Sequence, residues 1–400
     1  MKLVGIRVLD LSRFIPGPLC TQMMSDHGAE VIKVEAVHGG DPTREAGGKR
    51  DGVSVFFANT NRGKKSLALD LKSAEGLEAV MRLAEICDVV VESFRSGVAD
   101  RLGIGYAAIR ERAPRIIYAS ISSFGHSGPK RDLASHDLTI EAATGVLSIT
   151  RSKDGTPAIP GLPGADVMAA TMSLSGILMA LLRRQTTGEG DFLDMAMSDC
   201  LLAGLTNNMD TAMTERQPPD LSSGRSLGGN ALYSLYETRD GAWLAIGSQE
   251  PKFAANIMNA LDRPDLIEFS TMPPGPAQAP LRDFLTQTFK SRTAADWAAY
   301  FECMDVPISP VRSLPEVLDD PHFRARDMVV NDARGWDHFG TPIKFAAEPG
   351  APVLDVPALG QHSTAILKDI GYTAAEIEAA IAKGITRQAT QSEIALHAGS

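Results

Sequence analysis

The 400-residue chain is long enough for two domains or one large α/β unit, and its 44% hydrophobic and 22% charged content is that of an ordinary globular protein. A net charge of −10 argues against bulk nucleic-acid binding, and the four scattered cysteines (Cys20, Cys87, Cys200, Cys303) argue against a zinc site or a disulfide framework. With no secretory pattern in MKLVGIRVLDL, the expected compartment is the cytoplasm.

From the N-terminus, short β-branched runs alternate with helical periodicity. IRVLDL (6–11), EVIKVE (30–35), SLALDL (66–71), DVVVES (88–93) and RIIYASIS (115–122) read as strands. Residues 18–27 and 73–86 read as helices, the second opened by Ser73. This alternation predicts a mostly parallel sheet with helices on both faces, a Rossmann-like α/β domain. Ligands in such sheets sit beyond the carboxyl ends of the strands, so the turns after Leu11, Glu35 and Ser93 are where chemistry is expected.

Between Arg44 and Lys72 lies a basic island of net charge +4, with Arg44, Lys49, Arg50, Arg62, Lys64, Lys65 and Lys72 against Glu45, Asp51 and Asp70. It suits a small phosphate-bearing ligand and equally a solvated loop.

SHDLTIEAATG (135–145) carries a routine helix-start signal, Ser135 and Asp137 before Leu138, Ile140, Ala142 and Ala143. Its His136 is also the side chain type that changes charge most easily near neutrality. VMAATMSLSGILMALL (167–182) falls short of a membrane span and contains Thr171, Ser173 and Ser175, so it reads as a core helix opened by Asp166 as its cap. DFLDMAM (191–197) adds a strand.

The Pro-, Ser- and Gly-rich stretch 214–229 reads as a linker. Alternation on both sides of Asp240-Gly241 signals a hairpin, and helical patterns follow at 252–261, 281–290 and 294–304. The expected organisation is a large domain over 1–213, a linker over 214–228, a smaller α+β domain over 229–325, and a return segment over 326–400.

Nucleotide fingerprints fail. GIGYAAI (103–109) lacks the third glycine of a dinucleotide loop, and NTNRGKKS (59–66) has Ala58 where the Walker glycine belongs. Arg95, just after a strand end, could take a diphosphate or simply sit in a salt bridge. Glu250, in AIGSQEPKF, is on its own a surface carboxylate.

Together, VLDLSRFIPGPLCTQMMSDHGAEVIKVEAVHGGDPTR, NRGKKSLALDLKS, DVVVESFRSGVADRLGIGY, RIIYASISSFGHSGP, GILMALLRRQTTGEGDFLDMAMSD and GQHSTAILKDIGYTAAEI resemble, in order, the class III CoA-transferase superfamily (CaiB/BaiF type). The closest motif similarity is to the α-methylacyl-CoA racemases. The resemblance implies an interlocked homodimer acting on an acyl-CoA thioester, with coenzyme A as part of the substrate and no permanently bound cofactor or metal. It implies CoA contacts at Arg44, Leu71, Lys72, Phe94, Arg95 and Arg101. No nucleic acid or membrane is expected as a partner.

Two mechanisms follow from the resemblance. In racemases a histidine in a "GHD" motif pairs with an Asp; here His136, Asp137 and Asp166 match, with Ser135 for the usual Gly. Glu250 in EPKF then supports the histidine, and the backbone N–H of Asp137 is the candidate enolate donor. In transferases the Asp166 position attacks the acyl-CoA, giving a mixed anhydride and then an aspartyl-CoA thioester.

The histidine, the EPKF match and the absence of a transferase-type glycine loop beyond LGGNALY favour the racemase side. Against it stand ADVMAATM where racemases carry a double glycine, Ala36 where a basic residue is expected, and the long, transferase-like segment GGDPTREAGGKRDGVSVFFANTNR. A non-catalytic acyl-CoA-binding protein is the third reading.

Overall fold

A computed structural model describes residues 1–152 and 154–397. The chain divides into two units: 1–147, 158–204 and Pro321 onward form the first, and 148–157 with 205–320 the second. The main crossing into the second unit falls after Gly204 because the helix Met197–Gly204 still packs on the long helix of the first unit. The return begins at Pro321 because the helix Pro321–Ala325 packs on the Val329–Asn331 strand.

The first unit is built on β1 (Arg7–Asp10), β2 (Glu30–Glu35), β3 (Lys65–Leu69), β4 (Val89–Glu92), β5 (Ile117–Ser122) and β6 (Asp191–Ala196). They run parallel in the order β3-β2-β1-β4-β5-β6, and Thr386–Arg387 adds an antiparallel edge strand beside β3. That edge pairing had no sequence signal; two residues are too few to show a period.

Strands covered on both faces are rich in apolar residues, so these runs show little apolar–polar alternation, although Asp10, Lys33, Glu35 and Glu92 are buried charged residues within them. Val8, Val89, Val91, Ile117 and Ala119 face one core, while Leu9, Val90 and Tyr118 face the other. On the first face lies α1 (Pro16–Asp26), whose prolines fall in the first turn where no N–H is needed. On the second lies α2 (Ala74–Ile86), capped by the Ser73 hydroxyl accepting from the Gly76 N–H.

Two further helices matter for the site, α3 (Asp137–Thr144) and α4 (Gly164–Thr187). By length and composition α4 could cross a membrane. One of its faces is a core face, with Ala165, Ala169, Ala170, Ser173, Leu174, Ile177 and Leu181 buried. Another face leaves Leu178, Met179 and Leu182 exposed.

In the second unit β7 (Tyr233–Glu237), β8 (Trp243–Gly247) and β9 (Ile308–Pro310) form an antiparallel sheet in the order β9-β8-β7. The β7–β8 turn places Gly241 at φ +75°, a conformation glycine adopts without strain. Three helices, α5 (Pro251–Ala260), α6 (Ala279–Phe289) and α7 (Ala294–Phe301), surround a core of Leu232, Ile246, Ile257, Leu285, Phe289 and Trp297.

Candidate active site

The strand order reverses between β1 and β4, and the loops leaving those two strands diverge to opposite sides. Two cavities open there. One, of about 600 Å³, is lined by Ser12 and Arg13 after β1, His38 after β2, Leu71 and Lys72 after β3, and Phe94 after β4. The other, of about 530 Å³, is lined by Arg13, Phe14, Phe94, Arg95, His136, Asp137 and Asp166. Arg13 and Phe94 belong to both, with the guanidinium 5.7 Å from the ring centre. The expected turns therefore do line these two cavities. The buried Glu92 shapes the last turn, its carboxylate accepting the Phe94 N–H at 2.6 Å.

Asp166 does not cap its helix. Pro163 is the N-cap residue and Asp166 is the third residue of α4. The first-turn amides are taken by carboxylates from α3: Asp137 Oδ1 accepts from Ala165 N at 2.8 Å and Asp166 N at 3.1 Å, and Glu141 Oε1 accepts from Gly164 N at 3.1 Å. A helix N-terminus ordinarily stabilises a nearby carboxylate anion. Here that field is already engaged. Burial, then the charges of Asp137 and Glu141, push the Asp166 pKa up to about 7.

His136 is the N-cap residue of α3, and Asp137 is the first helical residue. The Thr139 hydroxyl accepts the His136 N–H at 3.0 Å, which holds the backbone while the exposed imidazole faces the cavity. The ring meets Phe14 edge-on at 6.0 Å between centres. Phe14 has φ +65°, a costly conformation for an aromatic residue, and it occupies the turn straight after β1. Sequence reasoning missed Phe14, Arg13 and Glu141. Backbone strain leaves no mark in residue type, and Glu141 looks like one polar residue of an amphipathic helix.

Glu250 lies in the second unit, exposed, as the N-cap residue of α5. Leu71, Lys72 and Phe94 line the first cavity and Arg95 the second. Arg101, at the exposed end of the helix Val98–Leu102, lines neither.

Most of the basic island is engaged internally. Arg44 donates to both oxygens of Glu35 (2.7 and 2.8 Å) and to the Pro357 carbonyl. Arg62 pairs with Asp26, Lys64 with Asp10, Lys65 with Glu30 and Lys49 with Glu45. Lys72 alone of the island's basic residues lines the larger cavity. The acidic partners Asp10, Asp26, Glu30 and Glu35 stand earlier in the chain than Arg44, so a local charge count could not register them.

A parallel sheet in this order, with a histidine and a shielded carboxyl at its switch point, defines an α/β enzyme fold with a candidate acid–base site. The chain belongs to the CoA-transferase family III, whose family model matches residues 3–363. It is 31% identical to the succinyl-CoA:glutarate CoA-transferase of Mus musculus, over 96% of this chain and 90% of the relative. It is 30% identical to the alpha-methylacyl-CoA racemase of the same organism, over 94% and 95%. A crystal structure of a CAIB/BAIF family protein from Brucella suis superposes with a TM-score of 0.80 at 30% identity, covering 92% of this chain and 99% of that one. Among the wider set of relatives that match the chain, CoA-transferase names outnumber racemase names.

Proposed function

We propose that the protein acts on acyl-CoA thioesters and exchanges the proton at the carbon next to the thioester, as a 2-methylacyl-CoA racemase or epimerase does. The observation that carries this reading is the placement of His136 and Asp166 on one cavity, with Asp166 holding its proton up to about neutral pH. Coenzyme A would lie in the larger cavity and pass Arg13 and Phe94 to bring the acyl group to His136.

Racemisation needs two groups on opposite faces of the carbon, one empty and one loaded with a proton. For one substrate hand, the His136 imidazole takes the α-proton, and the electron pair moves onto the thioester oxygen as an enolate. The Asp166 carboxyl then gives its proton to the opposite face of the carbon and is left as a carboxylate. For the other hand the roles exchange. The N–H of Asp137, at the first position of α3 and so without an intrahelical partner, is the proposed donor to the enolate oxygen. The exposed Leu178, Met179 and Leu182 of α4 suit burial against a second copy of the chain.

The second reading is CoA transfer to a free carboxylic acid, favoured by the names of the relatives. Asp166 would then be the nucleophile, and His136 auxiliary.

A single-enantiomer 2-methylacyl-CoA incubated in deuterated water separates the two. Deuterium at the α-carbon with loss of optical purity is expected, abolished by His136→Ala. Transfer of CoA to an added acid without α-exchange, with an Asp166 acyl or CoA adduct found by mass spectrometry, would overturn the racemase reading.

A further inference from the structure

We propose that Glu141 is a positioning residue for Asp166: its carboxylate clamps the first turn of α4 through Gly164 and sets a fixed negative charge beside the Asp166 carboxyl. This rests on the reading of Asp166 as a proton-exchanging group, but its geometry stands by itself. Glu141 is 2% exposed, on the inward side of α3, and Gly164 N is its hydrogen-bonded partner at 3.1 Å. A buried carboxylate is costly unless compensated, and here a helix N-terminus supplies the compensation.

The consequence falls on Asp166. Of the first amides of α4, Gly164 N donates to Glu141, Ala165 N and Asp166 N to Asp137, and Val167 N to the Pro163 carbonyl. Asp166 is thus a first-turn acid with none of these four amides free to stabilise its anion, and with two carboxylates as neighbours. Glycine at 164 belongs to the same arrangement, since a Cβ there would stand 3.1 Å from Glu141 Oε1. Burial raises the Glu141 pKa too, and Asp137 adds to the rise while the Gly164 bond opposes it. Asp166, with the larger rise, keeps its proton to higher pH than an exposed carboxyl does.

The charge and the clamp can be separated. Glu141→Gln keeps an acceptor for Gly164 N and removes the charge; Glu141→Asp keeps the charge but shortens the reach. The direct readout is the titration of Asp166 in protein labelled with carboxyl-¹³C aspartate, the signal being the one missing from Asp166→Asn. Glu141→Gln is expected to lower the Asp166 midpoint by about half a pH unit or more, and Glu141→Asp, which keeps the charge but frees the Gly164 N–H, to lower it by less.

The pH limb of α-deuterium exchange should move with that midpoint. An Asp166 midpoint unchanged in Glu141→Gln overturns the proposal. A midpoint that moves while the exchange profile stays still upholds Glu141's role and overturns the catalytic reading of Asp166. Should Glu141→Gln not fold, an Asp166 midpoint in Glu141→Asp that does not fall below that of wild type overturns the proposal.

Discussion

One oxygen of Asp137 accepts the backbone N–H groups of both Ala165 and Asp166, at 2.8 and 3.1 Å. Asp137 is the first residue of α3, so a single carboxylate sits at the start of two helices and is favourable to both dipoles. Through it the histidine-bearing turn and the Asp166 turn are locked together.

Removing that link should destabilise the first unit. Asp137→Ala loses two charge-assisted bonds and is expected to cost about 2 kcal/mol, lessened by relief of repulsion from Glu141 and Asp166. Asp137→Asn keeps an acceptor oxygen and should cost about half as much. Urea denaturation of the two variants against wild type measures the difference. Equal losses would mean that the bonds carry no weight.

Asp166 gives a pH-dependent prediction. Its pKa lies at about 7 in the fold against an ordinary 3.8, so the folded state binds this proton more tightly than the unfolded chain. Stability from this group is therefore fully present below about 4, falls as pH rises from 4 to 7, and is level above that. Asp166→Asn has no such proton, so its stability relative to wild type should improve across that window. The expected gain is about 2 kcal/mol between pH 4 and 8, reduced from the full linkage value because the carboxyl is partly exposed. Melting temperatures of both proteins at a series of pH values decide it; a constant difference would contradict the raised pKa.

The strands, the hairpin at Asp240-Gly241 and the Ser73 cap were legible because each is set by neighbours in sequence. His136, Asp137 and Asp166 were also legible as candidates, from motif resemblance. Their division of labour was not. Asp137 looked like a helix-start residue of its own helix and is also the cap of another, 28 residues further along the chain. Asp166 looked like a cap and is the residue whose amide is capped. The basic island misled for the same reason: Arg62 and Lys64 find Asp26 and Asp10 across the fold, beyond any local window.

Lys72 is exposed, its backbone N–H is tied to Asp70, and it lines the larger cavity. If CoA phosphates lie there, Lys72→Ala should raise KM for an acyl-CoA about fivefold with kcat little changed, as loss of one partly solvated ionic contact of about 1 kcal/mol. The difference should shrink as salt is added, because exposed charges are screened. Arg44→Lys gives a contrast. It should lower stability more than it raises KM, since Arg44 serves Glu35. Steady-state kinetics at low and high salt check the first and urea denaturation the second; an unchanged KM in Lys72→Ala would move the phosphates elsewhere.

Asp10 and Lys64 are both fully buried, 3.0 Å apart, beneath the switch point. Burial alone would raise the Asp10 pKa, but Lys64 and Lys33 hold it well below the usual carboxylate range. The Thr21 hydroxyl donates to Asp10 at 2.6 Å, and Lys64 also reaches the Pro18 carbonyl and Asn61. Lys64 pays for its own burial with a pKa pushed down to about 8, so the pair is held by partners rather than by strong net attraction. Lys64→Met should therefore cost about 3 kcal/mol, chiefly by leaving the Asp10 charge buried with only the more distant pull of Lys33, which is itself paired with Asp41. Lys64→Met combined with Asp10→Asn should recover much of that loss, since the charge is removed with its partner. Denaturant midpoints of the two single variants and the double variant give the coupling energy directly. Strict additivity would mean that the two side chains act independently, and that the floor of the site is set by packing alone.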